Sequence, residues 1–451
     1  MRSLKRLYEA HAYQPDWPAS WWRASVPTPA PCPALQGEAR AEVAVIGAGY
    51  AGLNAALELA KGGADVAVLD AAQPGWGASG RNGGFCCLGG SKLSDAQIVA
   101  RVGKDGARAF RRFQLDAIGH VAALLDTHAI PARQGPEGEA YLAQSPAAFS
   151  ALRVEAEDEE RLYGTRPEVL PKAALADRGL AGPGFHGALI GRAGFPVQPM
   201  LYVEALARLA TEAGARLFGG SPVTRLAPSP GGWRLTTPGG SLTARKVLVA
   251  TNGYSSEDLP DWLAGRTLPA LSSILVTRPL TEAERLAQGF TSPLMSCDVR
   301  KLLHYFRHLP DGRFLFGMRG GTSASPAAEA RTLARVREHI EALFPAWRQA
   351  ETTHAWSGFV CLTGSLAPYI GPVPGAPELF AALGWHGAGV GPASYGGLQA
   401  ARLMTGRAAA IPALIAAPPR RFPFARFRRL GLALAYAGYQ RKDGPLPRHP
   451  A

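Results

Sequence analysis

The stretch that most constrains this chain is residues 41–70, AEVAVIGAGYAGLNAALELAKGGADVAVLD. Residues 42–46 form a short apolar run rich in Val, the pattern of a strand buried on both faces. Gly47, Gly49 and Gly52 follow at once in G-x-G-x-x-G spacing. Residues 53–60 place Leu53, Ala56, Leu57 and Ala60 at helical intervals, and Gly62-Gly63 closes that helix. Residues 65–69 read as a second strand with Asp70 at its carboxyl end. Such a βαβ unit suits a dinucleotide. Gly47 permits the tight turn, Gly49 admits a pyrophosphate, and Gly52 lets the helix pack close on the strand. The helix N-terminus offers N–H groups and partial positive charge, and Asp70 can accept from a ribose hydroxyl.

A chain of 451 residues is too long for one simple core, so two domains are expected. No apolar run approaches the ~20 residues that span a bilayer. The basic N-terminus lacks the apolar core of a secretory signal, so the expected compartment is the cytoplasm. Five cysteines (Cys32, Cys86, Cys87, Cys297 and Cys361) are scattered without a C-x-x-C, which argues against a disulfide framework and against a bound metal. The net charge of +13 is uneven: residues 401–451 carry ten Lys or Arg against one acid, Asp443. Within them, RFPFARFRR interleaves arginine with aromatics. No nucleic-acid module accompanies it, so nucleic acid is not an expected partner. Contact with an anionic membrane is conceivable, but a basic tail packed back on the protein is the favoured reading.

Residues 1–39 form an arm with Trp17, Trp21 and Trp22, broken by Pro18, Pro27, Pro29, Pro31 and Pro33, which is expected to lie over another surface. Residues 75–84, GWGASGRNGG, form a second glycine-rich loop in which Arg81 can neutralise phosphate. Residues 94–165 read as largely helical, 179–194 as a glycine-rich connection and 199–213 as an amphipathic helix. Short strands are expected at 216–218 and 223–226. Residues 247–251 are a buried strand running into ATNGY. Residues 267–277, 302–309 and 313–317 suggest antiparallel strands, with Pro310-Asp311-Gly312 as a turn. Helices are expected at 329–343 and 398–405. Between them the chain returns to WSG, PYIG and GWHGAGVG.

In order and spacing, GAGYAG…D, GASGRNGG, ATNGY, WSG…PYIG and GWHGAGVG resemble the D-amino-acid-oxidase-type (DAO) FAD amine oxidases, most closely the gamma-glutamylputrescine oxidoreductase branch. The resemblance covers residues 8–439. It implies an α/β, two-domain glutathione-reductase/DAO-type flavoprotein, with a Rossmann-like FAD domain and a mixed or antiparallel substrate sheet. The FAD domain is expected from residues 40–95, 190–255 and 355–415, and the substrate domain from 96–189 and 256–354. The basic segment 416–451 follows. The chemistry implied is hydride transfer from an amine to non-covalent FAD, imine hydrolysis and reoxidation by oxygen to peroxide; the cofactor carries the reaction.

By position, Gly47, Gly49, Tyr50, Ala51, Gly52, Asp70, Ala78, Ser79, Arg81, Asn82, Gly83 and Gly84 should hold the ADP half. Val223 should lie near adenine, with Thr251 and Gly253 beside the cofactor. Gly384, Gly387, Gly389 and Val390 should approach the flavin ring. His304, Tyr305 and Arg307 lie on one strand, where alternation points Tyr305 and Arg307 away from His304; one face should see substrate. Trp385 and His386 are candidates for the flavin edge. Branch members carry Ser-Gly-His-Gly where this chain has His386-Gly387-Ala388-Gly389, and an acid near His304, which weakens the expected attraction for a polyamine tail. Two further readings stay open: a dehydrogenase passing electrons to a quinone or partner protein, and a non-catalytic FAD-binding accessory protein.

Overall fold

The computed structural model describes residues 4–447. The first three residues of the arm and Arg448 of the basic tail lie outside that range. The chain builds two eight-stranded sheets. In the first, Leu379–Leu383, Gly240–Val249, Gly37–Ile46, Val66–Leu69 and Arg216–Phe218 run parallel in that spatial order. Tyr369–Pro372 adds an antiparallel edge, and the hairpin Arg225–Ser229/Gly232–Thr236 pairs with Gly240–Val249. Val43 to Ile46 are all buried, because helices cover one face and the hairpin side covers the other. Helices Tyr50–Lys61 and Val390–Met404 cross so closely that a Cβ on Gly397 would lie 2.0 Å from the Ala51 carbonyl oxygen.

The second sheet runs Thr352–Thr363, Thr267–Thr277, Phe314–Arg319, His304–His308, Met295–Asp298, Glu139–Leu142, Gly187–Gly191 and Glu168–Pro171. All neighbours pair antiparallel except Met295–Asp298 with Glu139–Leu142. Its back face packs Phe306, Phe314, Phe316, Phe344 and Trp347 beneath helix Pro326–Leu343. Its front face turns toward the first sheet, and the cavity lies between them.

Several expected boundaries move. The region read as helical, 94–165, holds helices Asp95–Thr127 and Pro146–Tyr163, with strand Glu139–Leu142 between them. The first helix packs its Phe113 and Val121 into the core of the first sheet rather than under the second. The glycine-rich connection 179–194 contains strand Gly187–Gly191, so a domain boundary at 190 would cut a strand. Strand Thr352–Thr363 pairs with Thr267–Thr277, which puts residues 355–363 in the second sheet. The strand expected at 223–226 starts at Arg225, because Val223 turns into the cavity. No helix among the described residues is long and apolar enough to cross a membrane.

Candidate active site

The first strand ends at Gly47, whose φ of +107° is left-handed and whose Cβ would sit 2.9 Å from the Ala250 carbonyl oxygen. A Cβ on Gly52 would come within 1.8 Å of the Gly47 oxygen, so the helix seats directly on the turn. A Cβ on Gly49 would meet Ser79 Oγ at 2.7 Å; that hydroxyl accepts from the Tyr50 N–H at 2.9 Å. The Ala51 N–H in the same first turn has no acceptor within its helix. Asp70 accepts from the Ala48 N–H at 2.7 Å and from the Ala72 N–H at 2.9 Å; burial raises its pKa against those two bonds. The second glycine loop is stapled by Asn82. Its amide donates to the Ser79 and Ala78 oxygens and accepts from the Gly84 N–H. Arg81 stacks 4.5 Å above Trp76 and donates to its carbonyl at 2.8 Å.

Most of these residues line one cavity of about 390 Å³. The first sheet and its loops supply Gly47, Gly49, Tyr50, Ala51, Asp70, Ala78, Ser79, Arg81, Asn82, Gly83, Val223 and Thr251; the segment after Leu379–Leu383 supplies Trp385, His386, Gly387, Gly389 and Val390. A glycine-lined cradle at a helix N-terminus, with a carboxylate at the neighbouring strand end, matches the ADP half of FAD. Gly52, Gly84, Gly253 and Gly384, expected to touch the cofactor, stand behind the wall. A Cβ on Gly84 would strike the Val197 oxygen at 2.2 Å, and one on Gly253 would strike Phe359 Cβ at 2.9 Å. Gly384 donates its N–H to Asn252 Oδ1 at 2.9 Å. Each makes room for a packed neighbour rather than for a ligand.

The strand His304–His308 separates its candidates by alternation. Tyr305 lines the cavity, and its hydroxyl lies 2.9 Å from Ser272 Oγ. His304 points to the opposite, helix-covered face, held between Asp298 and His339 Nδ1 (2.7 Å), so it is not placed to meet substrate. Arg307 shares the Tyr305 side but stops short of the cavity. Fully buried, it donates to the Gly83 and Val197 oxygens and to Gln134 Oε1 at 2.8–3.2 Å. Burial lowers its pKa to about 9. It is a strut under the glycine loop, which corrects the catalytic expectation. Trp385 lines the cavity but packs its ring against helix Val390–Met404, where a Cβ on Gly396 would meet it at 2.4 Å.

His386 adopts a φ of +51° and is buried. The Thr363 hydroxyl donates to the Ala367 oxygen at 2.7 Å, so it can only accept from His386 Nε2, 3.3 Å away. The ring is therefore the Nε2–H tautomer, and Nδ1 is an acceptor with no protein partner. Burial, then Lys92 and Arg319, depress its pKa to about 3 and keep it neutral.

Four charged residues of the same cavity were not singled out in the sequence: Arg6 of the N-terminal arm, and Lys92, Glu139 and Arg319. Neither Lys92 nor Arg319 has a carboxylate partner among the described residues. Arg319 beside it, then burial, draws the Lys92 ammonium down to about 7. Burial pushes the Glu139 carboxyl up to about 7, although Tyr141 donates to it at 2.8 Å. Cys87 and Cys297 adjoin Glu139 and line the cavity too; their thiols are raised by burial and by that carboxylate. All five cysteines are free, and no group of three His, Cys, Asp or Glu that could hold a metal exists among the described residues. Only Arg319 left a sequence cue, a cation before a Gly-Gly at a strand end.

Residues 42–403 match the family model for DAO, FAD-dependent oxidoreductases. The probable oxidoreductase OrdL of Rhizobium meliloti (strain 1021) is 32% identical over 432 residues, 94% of this chain and 97% of that protein. The gamma-glutamylputrescine oxidoreductase of Escherichia coli (strain K12) is 29% identical over 93% of this chain and 97% of its own length. In fold, glycine oxidase from Geobacillus kaustophilus superposes with a TM-score of 0.67 at 23% identity, covering 83% of this chain and 96% of that one. Iminodiacetate oxidase from Chelativorans sp. BNC1 gives 0.65 at 21%, covering 82% and 97%. The family match spans the three-glycine turn, the second glycine loop and the His386 segment alike, and the chain belongs to the DAO family of FAD-dependent oxidoreductases, with FAD as its cofactor.

Proposed function

We propose that this protein oxidises the C–N bond of a small amine that also carries a carboxylate, with oxygen as the electron acceptor and peroxide as the product. The observation that carries the reading is the pairing of Lys92 and Arg319, two cations without a protein counter-ion, with the acid Glu139 in one cavity continuous with the dinucleotide cradle. Bound FAD supplies the hydride acceptor. Arg319 offers a planar fork and Lys92 a point charge, and together they suit a substrate carboxylate. An amine gives up hydride only as the free base, so its ammonium proton must leave first. Glu139, with a pKa near 7, is the group in the cavity suited to accept it. Neutral His386 adds an acceptor and no competing charge. The acts named for relatives, on gamma-glutamylputrescine, glycine and iminodiacetate, fall within this class.

The test is anaerobic. The yellow protein is mixed with gamma-glutamylputrescine, sarcosine, glycine, iminodiacetate and uncharged alkylamines, and the visible flavin band is followed. Bleaching by carboxylate-bearing amines, with colour and peroxide returning on admission of air, is expected. Bleaching that air does not reverse would make the protein a dehydrogenase. Colour unmoved by every amine would overturn the catalytic reading.

A further inference from the structure

We propose that the exposed face of the C-terminal helix Arg428–Asp443, with the turn before it, docks on an anionic lipid bilayer. Eight large apolar side chains remain exposed among the described residues, and five of them (Phe424, Phe427, Leu430, Leu434 and Tyr439) fall in this one segment. Phe424 is 85% exposed. Phe427, Leu430 and Leu434 follow at helical intervals of three and four, which aligns them as one outward stripe.

The helix cannot turn that stripe inward, because its other face is anchored. Leu432 and Tyr436 pack on Leu268 and Ala270. Arg428 ion-pairs with Glu257 and Arg429 with Glu9. Asp443 accepts from the Lys301 and Leu302 N–H groups, tying down the far end. The packed-back tail and the outward stripe are two faces of one helix.

Charge selects the occupant. Arg420, Arg421, Arg426, Arg441 and Lys442 flank the stripe, are exposed, and have no carboxylate partner among the described residues. No acid occurs between Glu378 and Asp443, and Asp443 is spent on the chain's own backbone. A second copy docked about a two-fold axis would set these cations against their equivalents. An anionic bilayer accepts the apolar stripe at the acyl boundary and the basic rim at the headgroups, the requirements of an interfacial helix.

The experiment is vesicle flotation of the FAD-loaded full chain on phosphatidylcholine vesicles with and without phosphatidylglycerol. The wild type is expected to float with the anionic vesicles at least ~10-fold more than with neutral ones, and to be released by salt. The variant Phe424→Ser/Phe427→Ser/Leu430→Ser/Leu434→Ser changes only exposed positions, and retention of its flavin spectrum reports its fold. It is expected to lose flotation ~10-fold or more. A second variant, Arg420→Gln/Arg421→Gln/Lys442→Gln, is expected to lose the preference for anionic lipid. Failure of the wild type to float, or flotation unchanged by the serine variant, overturns the proposal. A dimer in light scattering that the serine variant splits, without lipid binding, reassigns the face to a second copy.

Discussion

At the scale of single residues, the roles follow from which groups lack a partner. Arg319 has no carboxylate beside it, so a substrate carboxylate would supply the missing half of a charge-assisted pair. Such bonds contribute about 1.5–3 kcal/mol, so Arg319→Leu is expected to raise KM for carboxylate-bearing amines roughly 10- to 100-fold. Arg319→Lys should recover part of that loss, and alkylamines without a carboxylate should be unaffected. Equal loss with both amine classes in steady-state assays would remove the anion-binding role. Glu139 makes a different prediction. Its carboxyl holds its proton up to about pH 7, so its base form is lost as pH falls through that value. The acid limb of kcat/KM should centre near pH 7, and Glu139→Gln should lower the rate and flatten the limb. An unchanged limb in the variant would assign that ionisation elsewhere, to the substrate amine. The sequence displayed Tyr305 and His386, because each sits in a readable motif. It did not display Lys92 and Glu139, and gave only the cation before Gly320-Gly321 as a cue to Arg319; the three come from a loop and two strands far apart in the chain and are brought together only by the fold.

At the scale of elements, the strands carry their sorting in their alternation. His304–His308 was legible as a strand, and its two-residue period correctly divided Tyr305 from His304; the period could not say which face was packed. That depended on helix Pro326–Leu343 covering the His304 side. The strands Glu139–Leu142 and Gly187–Gly191 were invisible for another reason. EAYL and GALIG are short, rich in Ala and Gly, and weak in intrinsic strand preference, and they become strands because neighbours complete their hydrogen bonds. Arg307 belongs to this scale, since it ties its own strand to the loops at Gly83, Gln134 and Val197. Arg307→Met fills similar volume but leaves two buried acceptors, the Gly83 and Val197 oxygens, unpaired, and the half-buried Gln134 amide without its donor. Each costs about 1–3 kcal/mol if water cannot reach it. The expected result is destabilisation on the order of 2–4 kcal/mol in denaturant unfolding, with weakened FAD retention. A variant as stable as the parent, but with chemistry slowed at saturating amine and full FAD, would return Arg307 to the reacting groups.

At the scale of the whole molecule, the N-terminal arm decides whether the cofactor site is a property of the first sheet or of the complete fold. The arm's aromatics predicted that it would cover a surface, but not which one. Trp22 is fully buried, donating its indole N–H to the Asn82 oxygen at 2.6 Å and standing edge-on to Trp356 and 5.3 Å from the Arg307 guanidinium. Gln198 donates to the Trp22 carbonyl, and Trp76 of the glycine loop donates to the Asp16 carbonyl. Arg6 and Tyr13 reach the cavity wall. The arm therefore clamps the loop that lines the cofactor site against both sheets. Trp22→Ala removes a large buried ring and a hydrogen bond at once, a change that costs about 3–5 kcal/mol in well-packed cores. Because Asn82, Arg307 and Trp356 all lose a neighbour, FAD release and global unfolding should shift together. Flavin fluorescence and far-ultraviolet circular dichroism, followed in one thermal melt, should give coincident midpoints for the parent and lower, still coincident midpoints for the variant. If the arm only covered a finished site, the variant would unfold its backbone at the parental midpoint while losing flavin early, or would keep both. Either outcome would separate the arm from the fold that holds the cofactor.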